Sequence, residues 1–254
     1  MLTAITRAVS PSINRCELQY LDRQEIDYPK AVEQHRQYEA CLRELGVNVV
    51  SLVAEPDLPD SMFVEDPAVV VREVAVMTRM GAESRRAESE SLARALAAFR
   101  PLRWLREPAT VEGGDVIRIG ATVFVGESDR SNAEGIRQLG DELRPYGYTV
   151  KPVPVRGCLH LKSGCCALAD GTILANRQWI DAAALDGHPI VDVPCREPSA
   201  ANVLAVGEDV IVPECFPETA RLVESLGWRV RTLDISELMK AEAALTCSSI
   251  LIET

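Results

Sequence analysis

The chain has 254 residues, 47% of them hydrophobic, so it is long enough to bury a substantial core without disulfides. A net charge of -11 and an isoelectric point near 4.9 argue against a nucleic-acid-binding surface, which needs clustered Lys and Arg, and suit a small cationic substrate. No apolar run approaches the length of a membrane span and residues 1–9 lack the apolar core of a secretory signal, so we expect a cytoplasmic protein whose eight cysteines are free thiols.

Val- and Ile-rich runs alternate along the chain with Arg-, Glu- and Ala-rich stretches of helical spacing, which indicates an α/β protein. Several segments repeat one plan: a polar pair, a strand, a turn, a second strand, a polar loop, a helix and a third strand. The first copy starts at Glu65, with strands AVVV, VAVMTR and LRWL and a helix over residues 87–98. The second starts at Glu112, with VIRI, TVFVG and YTVKPVPV and a helix over residues 133–143.

The third copy starts at Leu161, with strands CCALA and TILAN and an Ala-rich helix. The fourth starts at Ala201, with VLAV, VIVPE and WRVRTLDI and a helix over residues 218–226. The fifth is divided, because CSSILIE closes the chain whereas a helix over residues 30–45 and the strand VNVVSLV lie near its start. A divided module favours a closed ring over the alternative, an open doubly wound sheet.

We therefore predict an α/β fold, a five-bladed ββαβ propeller with pseudo-fivefold symmetry. Residues 1–254 are expected to form one domain whose fifth module is shared between the two ends of the chain. A ring brings the first strand of every module to one axis, so the residues that open those strands converge on one central cavity. These residues are Glu65, Asp66, Glu112, Asp115, Lys162, Asn202 and Cys247.

Two residues at such openings have the chemistry of a nucleophilic enzyme. Cys247 opens the last strand in LTCSSILIE, and His160 precedes the first strand of the third module in CLHLKSG. A thiolate and a proton carrier are the minimum for nucleophilic catalysis, and the two are often distant in sequence. Most free cysteines are inert, buried and small, so the position in the repeat, rather than the residue type, makes these two the candidates.

Three carboxylates, Glu65, Asp66 and Glu112, open the first two modules. A guanidinium stays protonated at physiological pH and presents planar donors that match carboxylates, so these acids indicate a guanidinium substrate. A divalent cation held by the same acids and His160 is the rival interpretation. The sequence has no HExxH, DxDxDG or paired CxxC pattern, so we predict neither a metal nor another cofactor.

Two arginines stand at matching places, each shortly before the helix of its module: Arg85 in ESRRAE and Arg130 in ESDRSN. A pair of arginines can hold a carboxylate, which an amino-acid substrate carries at the end opposite its guanidinium. Surface salt bridges are the commoner role of arginine, and only the equivalence between modules favours binding.

Seven segments occur together and in a fixed order along nearly the whole chain. They are PDSMFVEDP (59–67), GAESRR (81–86), TVEGGDV (110–116), FVGESDRSNAEG (124–135), LHLKSG (159–164), AAN (200–202) and TCSS (246–249). In these segments the chain resembles the dimethylarginine dimethylaminohydrolases of the amidinotransferase (pentein) superfamily. The resemblance implies hydrolysis of asymmetric dimethylarginine or monomethylarginine to citrulline and dimethylamine or methylamine, through a covalent S-alkylthiouronium on a cysteine.

The resemblance also implies the residues involved. Cys247 is the expected nucleophile, His160 the general acid and base, and Glu112 the carboxylate that aligns His160 and the guanidinium. The expected substrate-binding residues are Leu18, Asp60, Glu65, Asp66, Arg85, Arg130 and, through its backbone, Ala241. A small-molecule substrate is the expected partner, with no nucleic acid, no membrane and no cofactor, and a homodimer is compatible with the resemblance.

Three alternative functions stay open. Arginine deiminase-type hydrolysis would act on free arginine or a related guanidine, although deiminases are usually longer. Amidino transfer would pass the same covalent intermediate to an amine instead of water. A non-catalytic binding protein with the same fold is the third, and the joint presence of Cys247, His160 and Glu112 speaks against it.

Overall fold

In a computed structural model that describes residues 1–185 and 187–253, the chain forms five sheets of three strands each. The strands in chain order are β1 (Leu2–Arg7), β2 (Asn48–Leu52), β3 (Ala68–Val70), β4 (Ala75–Met77), β5 (Leu102–Trp104), β6 (Val116–Ile119), β7 (Thr122–Glu127), β8 (Thr149–Pro154), β9 (Cys165–Ala167), β10 (Ile173–Ala175), β11 (Ile190–Asp192), β12 (Leu204–Val206), β13 (Asp209–Pro213), β14 (Arg229–Leu233) and β15 (Ile250–Glu253).

All five sheets have the same topology. Their strand orders are β3-β4-β5, β6-β7-β8, β9-β10-β11, β12-β13-β14 and β15-β1-β2. The middle strand pairs antiparallel with the first strand of its module and parallel with the third. A parallel return requires a crossover connection, and this is where the helices of the repeat occur. The predicted five-bladed ββαβ architecture is confirmed.

The sheet that joins the two ends of the chain contains a strand that sequence reasoning missed. β1 pairs Leu2 with Glu253 and Ile5 with Ile250 of β15, and its other edge pairs with β2. The first strand residue is half-buried and the remaining five are buried. Because both faces of β1 are covered, LTAITR lacks the alternation of apolar and polar residues that marks a strand.

The helices are α1 (Tyr28–Glu44), α2 (Ser89–Leu96), α3 (Ala133–Leu143), α4 (Leu161–Gly164), α5 (Pro217–Ser225) and α6 (Ser236–Met239). α1 starts where the Asp27 side chain accepts the Lys30 N–H, and α3 where Asn132 accepts the Gly135 N–H. The Ala-rich helix predicted for the third module is wrong. Within the described residues only a 3-10 turn, Ala182–Leu185, forms there, because Gly187, at a φ of 89°, and Pro189 both oppose a helix before β11. No helix within the described ranges is long and apolar enough to cross a membrane.

The first strands of the five modules surround a cavity of about 570 Å³ on the axis of the ring. β3, β6, β9, β12 and β15 all contribute to its wall. Glu65, Lys162 and Thr246, which precede three of these strands, lie at its polar end. The sheets of the first, second and fourth modules pack against apolar residues of their helices, such as Leu92, Leu139 and Val223, and burial of each contributes about 1.5 to 3 kcal/mol.

Candidate active site

A second, smaller cavity lies beside the residues that precede the first strands. Its volume is about 20 Å³, which is about the space of one water molecule. Seven of the ten residues predicted from sequence are in its wall: Asp60, Asp66, Arg85, Arg130, His160, Ala241 and Cys247. Of the other three, Glu112 lies behind His160, Glu65 lines the larger axial cavity, and Leu18 packs against the same hydrophobic cluster as Cys247.

His160 and Glu112 form a buried pair. His160 Nε2 lies 2.8 Å from Glu112 Oε2, and Glu112 is fully buried. Burial opposes the charged forms, but Asp66 and the hydrogen bond with Glu112 raise the pKa of His160 to about 9. Burial likewise opposes ionisation of Glu112, yet the hydrogen bond and charge of His160 bring its pKa down to about 2. At neutral pH the pair is therefore imidazolium and carboxylate.

The residues around this pair hold it in place. Asp115 accepts hydrogen bonds from the Leu161 N–H (2.8 Å) and from the hydroxyl of Ser131 (2.6 Å). Ser131 in turn accepts the Glu112 N–H at 3.0 Å. A Cβ on Gly114 would lie 2.5 Å from His160 Nδ1, so the glycine allows the ring to approach the backbone. The EGGD motif thus fixes both the carboxylate and the position of the imidazole.

Asp66 lies at the centre of a second set of charged groups. Its Oδ2 accepts the Arg85 Nη1–H at 2.8 Å, and its Oδ1 accepts the Gly114 N–H at 3.1 Å. Arg85 also donates twice to Glu88, at 3.0 and 2.9 Å. Arg85 is thus buried between two carboxylates, and its guanidinium fixes the orientation of Asp66.

A hydrogen-bond network forms the wall between the two cavities. Its members are residues that precede the first strands of several modules. Glu65 accepts from Lys162 Nζ at 2.5 Å and from the Thr246 hydroxyl at 2.8 Å. Lys162 also donates to the Gly113 carbonyl, and Asn202 donates to the Lys162 carbonyl and to Thr246 Oγ1. Burial raises the pKa of Glu65, while the Lys162 ammonium opposes this increase.

Cys247 lies in a 3-10 turn, Thr246–Ser248, just before β15. Its Sγ accepts the Ala244 N–H at 3.5 Å, and its carbonyl accepts the Glu65 N–H. Burial and the nearby charges of Glu65 and Asp66 raise the pKa of the thiol well above its ordinary value. The thiol is therefore protonated at neutral pH unless a positive charge is added beside it. All eight cysteines are free, as predicted.

Arg130 and Asp60 lie under an exposed loop over residues 17–21. Arg130 Nη1 is 3.3 Å from Glu112 Oε2, and its Nε donates to Gln19 Oε1 at 3.0 Å. Asp60 accepts the Glu17 N–H at 3.1 Å, and burial raises its pKa. Arg85 and Arg130 both line the cavity as predicted from their equivalence, but each already has a carboxylate partner.

Metal binding was the rival interpretation of the clustered acids. Within the described part of the chain, Asp66, Glu112 and His160 offer ligand atoms that lie within 4.8 Å of one another. Each of these residues is already engaged, however, because Arg85 binds Asp66 and His160 pairs with Glu112. A cation would have to displace the protonated His160 from its carboxylate, so the donor set fits a metal poorly.

Sequence reasoning missed several residues of the cavity wall: Glu17, Phe63, Leu159, Glu242 and Ala243. None of them opens a first strand, so the repeat gave no signal for them. Glu242 follows Ala241 directly and carries the one positive φ angle, 57°, of a non-glycine residue in the described ranges. A glutamate is not a residue type that marks this backbone conformation, and the sequence alone therefore does not point to it.

Comparison with known proteins gives consistent matches. Residues 6–166 match the family model described as N,N dimethylarginine dimethylhydrolase, eukaryotic. The N(G),N(G)-dimethylarginine dimethylaminohydrolase of Streptomyces coelicolor is 38% identical over 249 residues, covering 97% of this chain and 95% of that protein. The protein of the same name from Pseudomonas aeruginosa is 37% identical, covering 88% and 89%.

Solved structures agree with the sequence matches. A cysteine-to-serine variant of the Pseudomonas aeruginosa enzyme complexed with citrulline superposes with a TM-score of 0.94 at 34% identity, over 98% of both chains. The N-terminal domain of the cyanobacterial arginine dihydrolase ArgZ has a TM-score of 0.86 at 16% identity, which is a likeness of fold alone. The chain belongs to the dimethylarginine dimethylaminohydrolase family.

Proposed function

We propose that the protein hydrolyses N-omega-methylated L-arginine to L-citrulline and dimethylamine or methylamine, with Cys247 as the nucleophile. The observation that carries this proposal is that His160, paired with the buried Glu112 behind it, lines the same cavity as Asp66 and Cys247. The citrulline complex of the Pseudomonas aeruginosa relative supports the same product. Amidino transfer and arginine deimination have no comparable support.

The guanidinium end of the substrate binds at the acids. Asp66 accepts the planar N–H groups of the guanidinium, while Arg85 keeps its two bonds to Glu88 and holds Asp66 in orientation. Glu112 orients the imidazole and adds negative charge next to the guanidinium. Asp66 and Cys247 line the same cavity, which supports binding of the guanidinium carbon beside the thiol.

The bound cation makes the thiol reactive. The charges of Glu65 and Asp66 keep the Cys247 pKa high in the free protein, and a guanidinium beside them offsets this effect. The thiol proton then leaves to solvent, and the thiolate attacks the guanidinium carbon. Formation of the thiolate is thereby tied to the presence of the substrate.

His160 then moves the protons of both half-reactions. With a pKa near 9 it is protonated at neutral pH and gives its proton to the departing amine as the C–N bond breaks. Because Nε2 is hydrogen-bonded to Glu112, the proton is transferred from Nδ1. The neutral imidazole next takes a proton from water, which attacks the S-alkylthiouronium carbon. The C–S bond breaks, citrulline leaves and Cys247 is restored.

The amino-acid end of the substrate lies toward the loop over residues 17–21. Arg130 holds the α-carboxylate, and Asp60 with the Ala241 carbonyl holds the α-ammonium. Leu18 contributes a backbone contact from the loop. Arg130 and Asp60 both line the cavity, and one is a cation whereas the other is a carboxylate. These opposite charges match the carboxylate and the ammonium of an amino acid.

A substrate panel tests the proposal. Arginine, monomethylarginine and asymmetric dimethylarginine are offered separately, and citrulline and the released amine are measured. We expect citrulline and amine in equal amounts from the methylated substrates. Cys247→Ser and His160→Ala should lose at least about a thousandfold in rate, whereas Cys195→Ser and His188→Ala, as matched controls, should not. Full activity in either of the first two variants, or preference for unmethylated arginine, would overturn the proposal.

We also propose a cytoplasmic location and a homodimer. The eight free thiols suit a reducing compartment. Light scattering after size exclusion tests the assembly: a mass near twice 27.8 kDa is expected, and a mass of one chain contradicts it.

A further inference from the structure

One carboxylate holds the exposed loop over residues 17–21 against the cavity. Glu242 Oε1 accepts the backbone N–H groups of Gln19 (3.0 Å), Tyr20 (2.5 Å) and Leu21 (2.5 Å), and Oε2 accepts that of Gln19 as well. Three consecutive amides that converge on one anion form a backbone nest. Hydrogen bonds to a charged acceptor are among the stronger ones, so this contact dominates the attachment of the loop tip.

The backbone of Glu242 is suited to this contact at a cost in strain. Its φ of 57° lies in the left-handed region, which is unfavourable for a residue with a side chain. The neighbouring residues Ala241 and Ala243 are buried and line the cavity, while Glu242 is half-buried and turns toward the loop. Such strain persists only where surrounding contacts hold it, and it is found mainly at functional sites.

The loop has further attachments, and each involves a residue at the amino-acid end of the site or beside it. Asp60 accepts the Glu17 N–H, and the Gln19 side chain accepts from Arg130. Gln19 Nε2 also donates to Asp129 at 2.7 Å. Closure of the loop is therefore linked to the residues that we assign to the α-ammonium and α-carboxylate.

With the loop in this position and no substrate bound, the side chains of the site leave a cavity of only about 20 Å³, and they must separate when an amino acid binds beneath the closed loop. A substrate can enter only when the loop leaves. We propose that Glu242 is a positioning residue, a latch whose carboxylate binds the amides of residues 19–21 and closes the loop over the amino-acid end of the substrate. The identity of the substrate under the loop rests on the proposed function, but the contact between Glu242 and the loop is a property of the free protein.

Two substitutions separate the carboxylate from the backbone conformation. Glu242→Gln keeps the shape and removes the charge, whereas Glu242→Gly removes the side chain and relieves the strained φ. Glu33→Gln, on the exposed face of α1, is the matched control. Melting temperatures identify any variant that has lost its fold.

The first measurements need no substrate. Hydrogen exchange is followed at the amides of residues 19–21, and alkylation of Cys247 by iodoacetamide is followed by mass spectrometry of its peptide. We expect both rates to rise at least about tenfold in Glu242→Gln and Glu242→Gly, because a tenfold change needs only about 1.4 kcal/mol and the amides of residues 19–21 lose their charged acceptor. Wild-type rates in both variants overturn the proposal. Wild-type rates in Glu242→Gly alone also overturn it, since the loop would then close without the carboxylate.

The kinetics of methylated-arginine turnover separate a positioning role of Glu242 from a general loss of catalytic function. The latch favours the closed complex, so KM should rise about tenfold in Glu242→Gln while kcat changes by less than about threefold. A fall in kcat at unchanged KM contradicts a latch. If the wild-type protein forms no citrulline, the proposed function fails, whereas the exchange and alkylation rates still decide the latch.

Discussion

Replacement of Glu112 by glutamine tests the electrostatics on which the proton transfers depend. The substitution keeps the shape of the side chain and removes the charge that lies 2.8 Å from His160 Nε2. Two unit charges about 4 Å apart interact by about 4 kcal/mol at an effective dielectric constant near 20. One pKa unit is about 1.4 kcal/mol, so the pKa of His160 should fall by about 2 to 3. From about 9 in the wild-type protein, the pKa then reaches roughly 6 to 7.

Nuclear magnetic resonance with ring-labelled histidine measures this directly, because the chain has only three histidines. His160→Ala assigns the signal, and Glu134→Gln, on the exposed side of α3, is the matched control. We expect His160 to titrate near 9 in the wild-type protein and in Glu134→Gln, and at least one unit lower in Glu112→Gln. A wild-type titration below 7, or no change in Glu112→Gln, would refute the reasoning.

The same pair sets a pH dependence of stability with a definite sign. The folded-state pKa of His160 is raised from 6.5 to about 9, so its contribution of about 3 kcal/mol is complete below pH 6.5 and is lost as the pH rises through 9. The pKa of Glu112 is lowered from 4.5 to about 2, so its contribution is complete above pH 4.5 and is lost as the pH falls through 2. The difference in unfolding free energy between the wild-type protein and Glu112→Gln should therefore be largest between pH 4.5 and 6.5. A difference that grows above pH 9 would contradict this assignment.

Three further predictions concern neighbouring groups. Gly114→Ala places a Cβ 2.5 Å from His160 Nδ1, so kcat should fall about a hundredfold with the fold retained; unchanged kcat would show that the ring has room to move. Lys162→Met leaves the Glu65 carboxylate buried without its cation, which should cost about 3 to 5 kcal/mol in urea unfolding, and the added change Glu65→Gln should recover part of the loss. Because the pKa of the Cys247 thiol is raised, its alkylation rate should climb about tenfold per pH unit up to pH 9, and a plateau below that pH would argue for a thiolate in the free protein.

The repeat in the sequence was enough to predict the architecture, because each module carries its own strand and turn pattern. The helix over residues 133–143 was predicted with the bounds that the structure gives, since Asn132 supplies a clear N-cap. β1 was missed because it is buried on both faces and has no alternation. The helix predicted for the third module was wrong, because its Ala content does not offset the Gly187 and Pro189 that follow it.

The candidate site could be predicted to the extent that its residues open the first strands. Asp66, His160 and Cys247 were found in this way, and they line one cavity. The partners of charged groups could not be found, because they depend on which side chains meet in space. Arg85 is neutralised by Asp66 and by Glu88, which a pattern of matching arginines does not reveal.

Trapping of the covalent intermediate tests the central claim most directly. The protein is mixed with asymmetric dimethylarginine, and the reaction is quenched in acid within the first turnovers. After digestion, the mass of the peptide that contains Cys247 is measured by mass spectrometry. We predict an added mass equal to that of the substrate minus dimethylamine, on Cys247 alone among the eight cysteines. Production of citrulline with no such adduct on Cys247, or with the adduct on another cysteine, would contradict it.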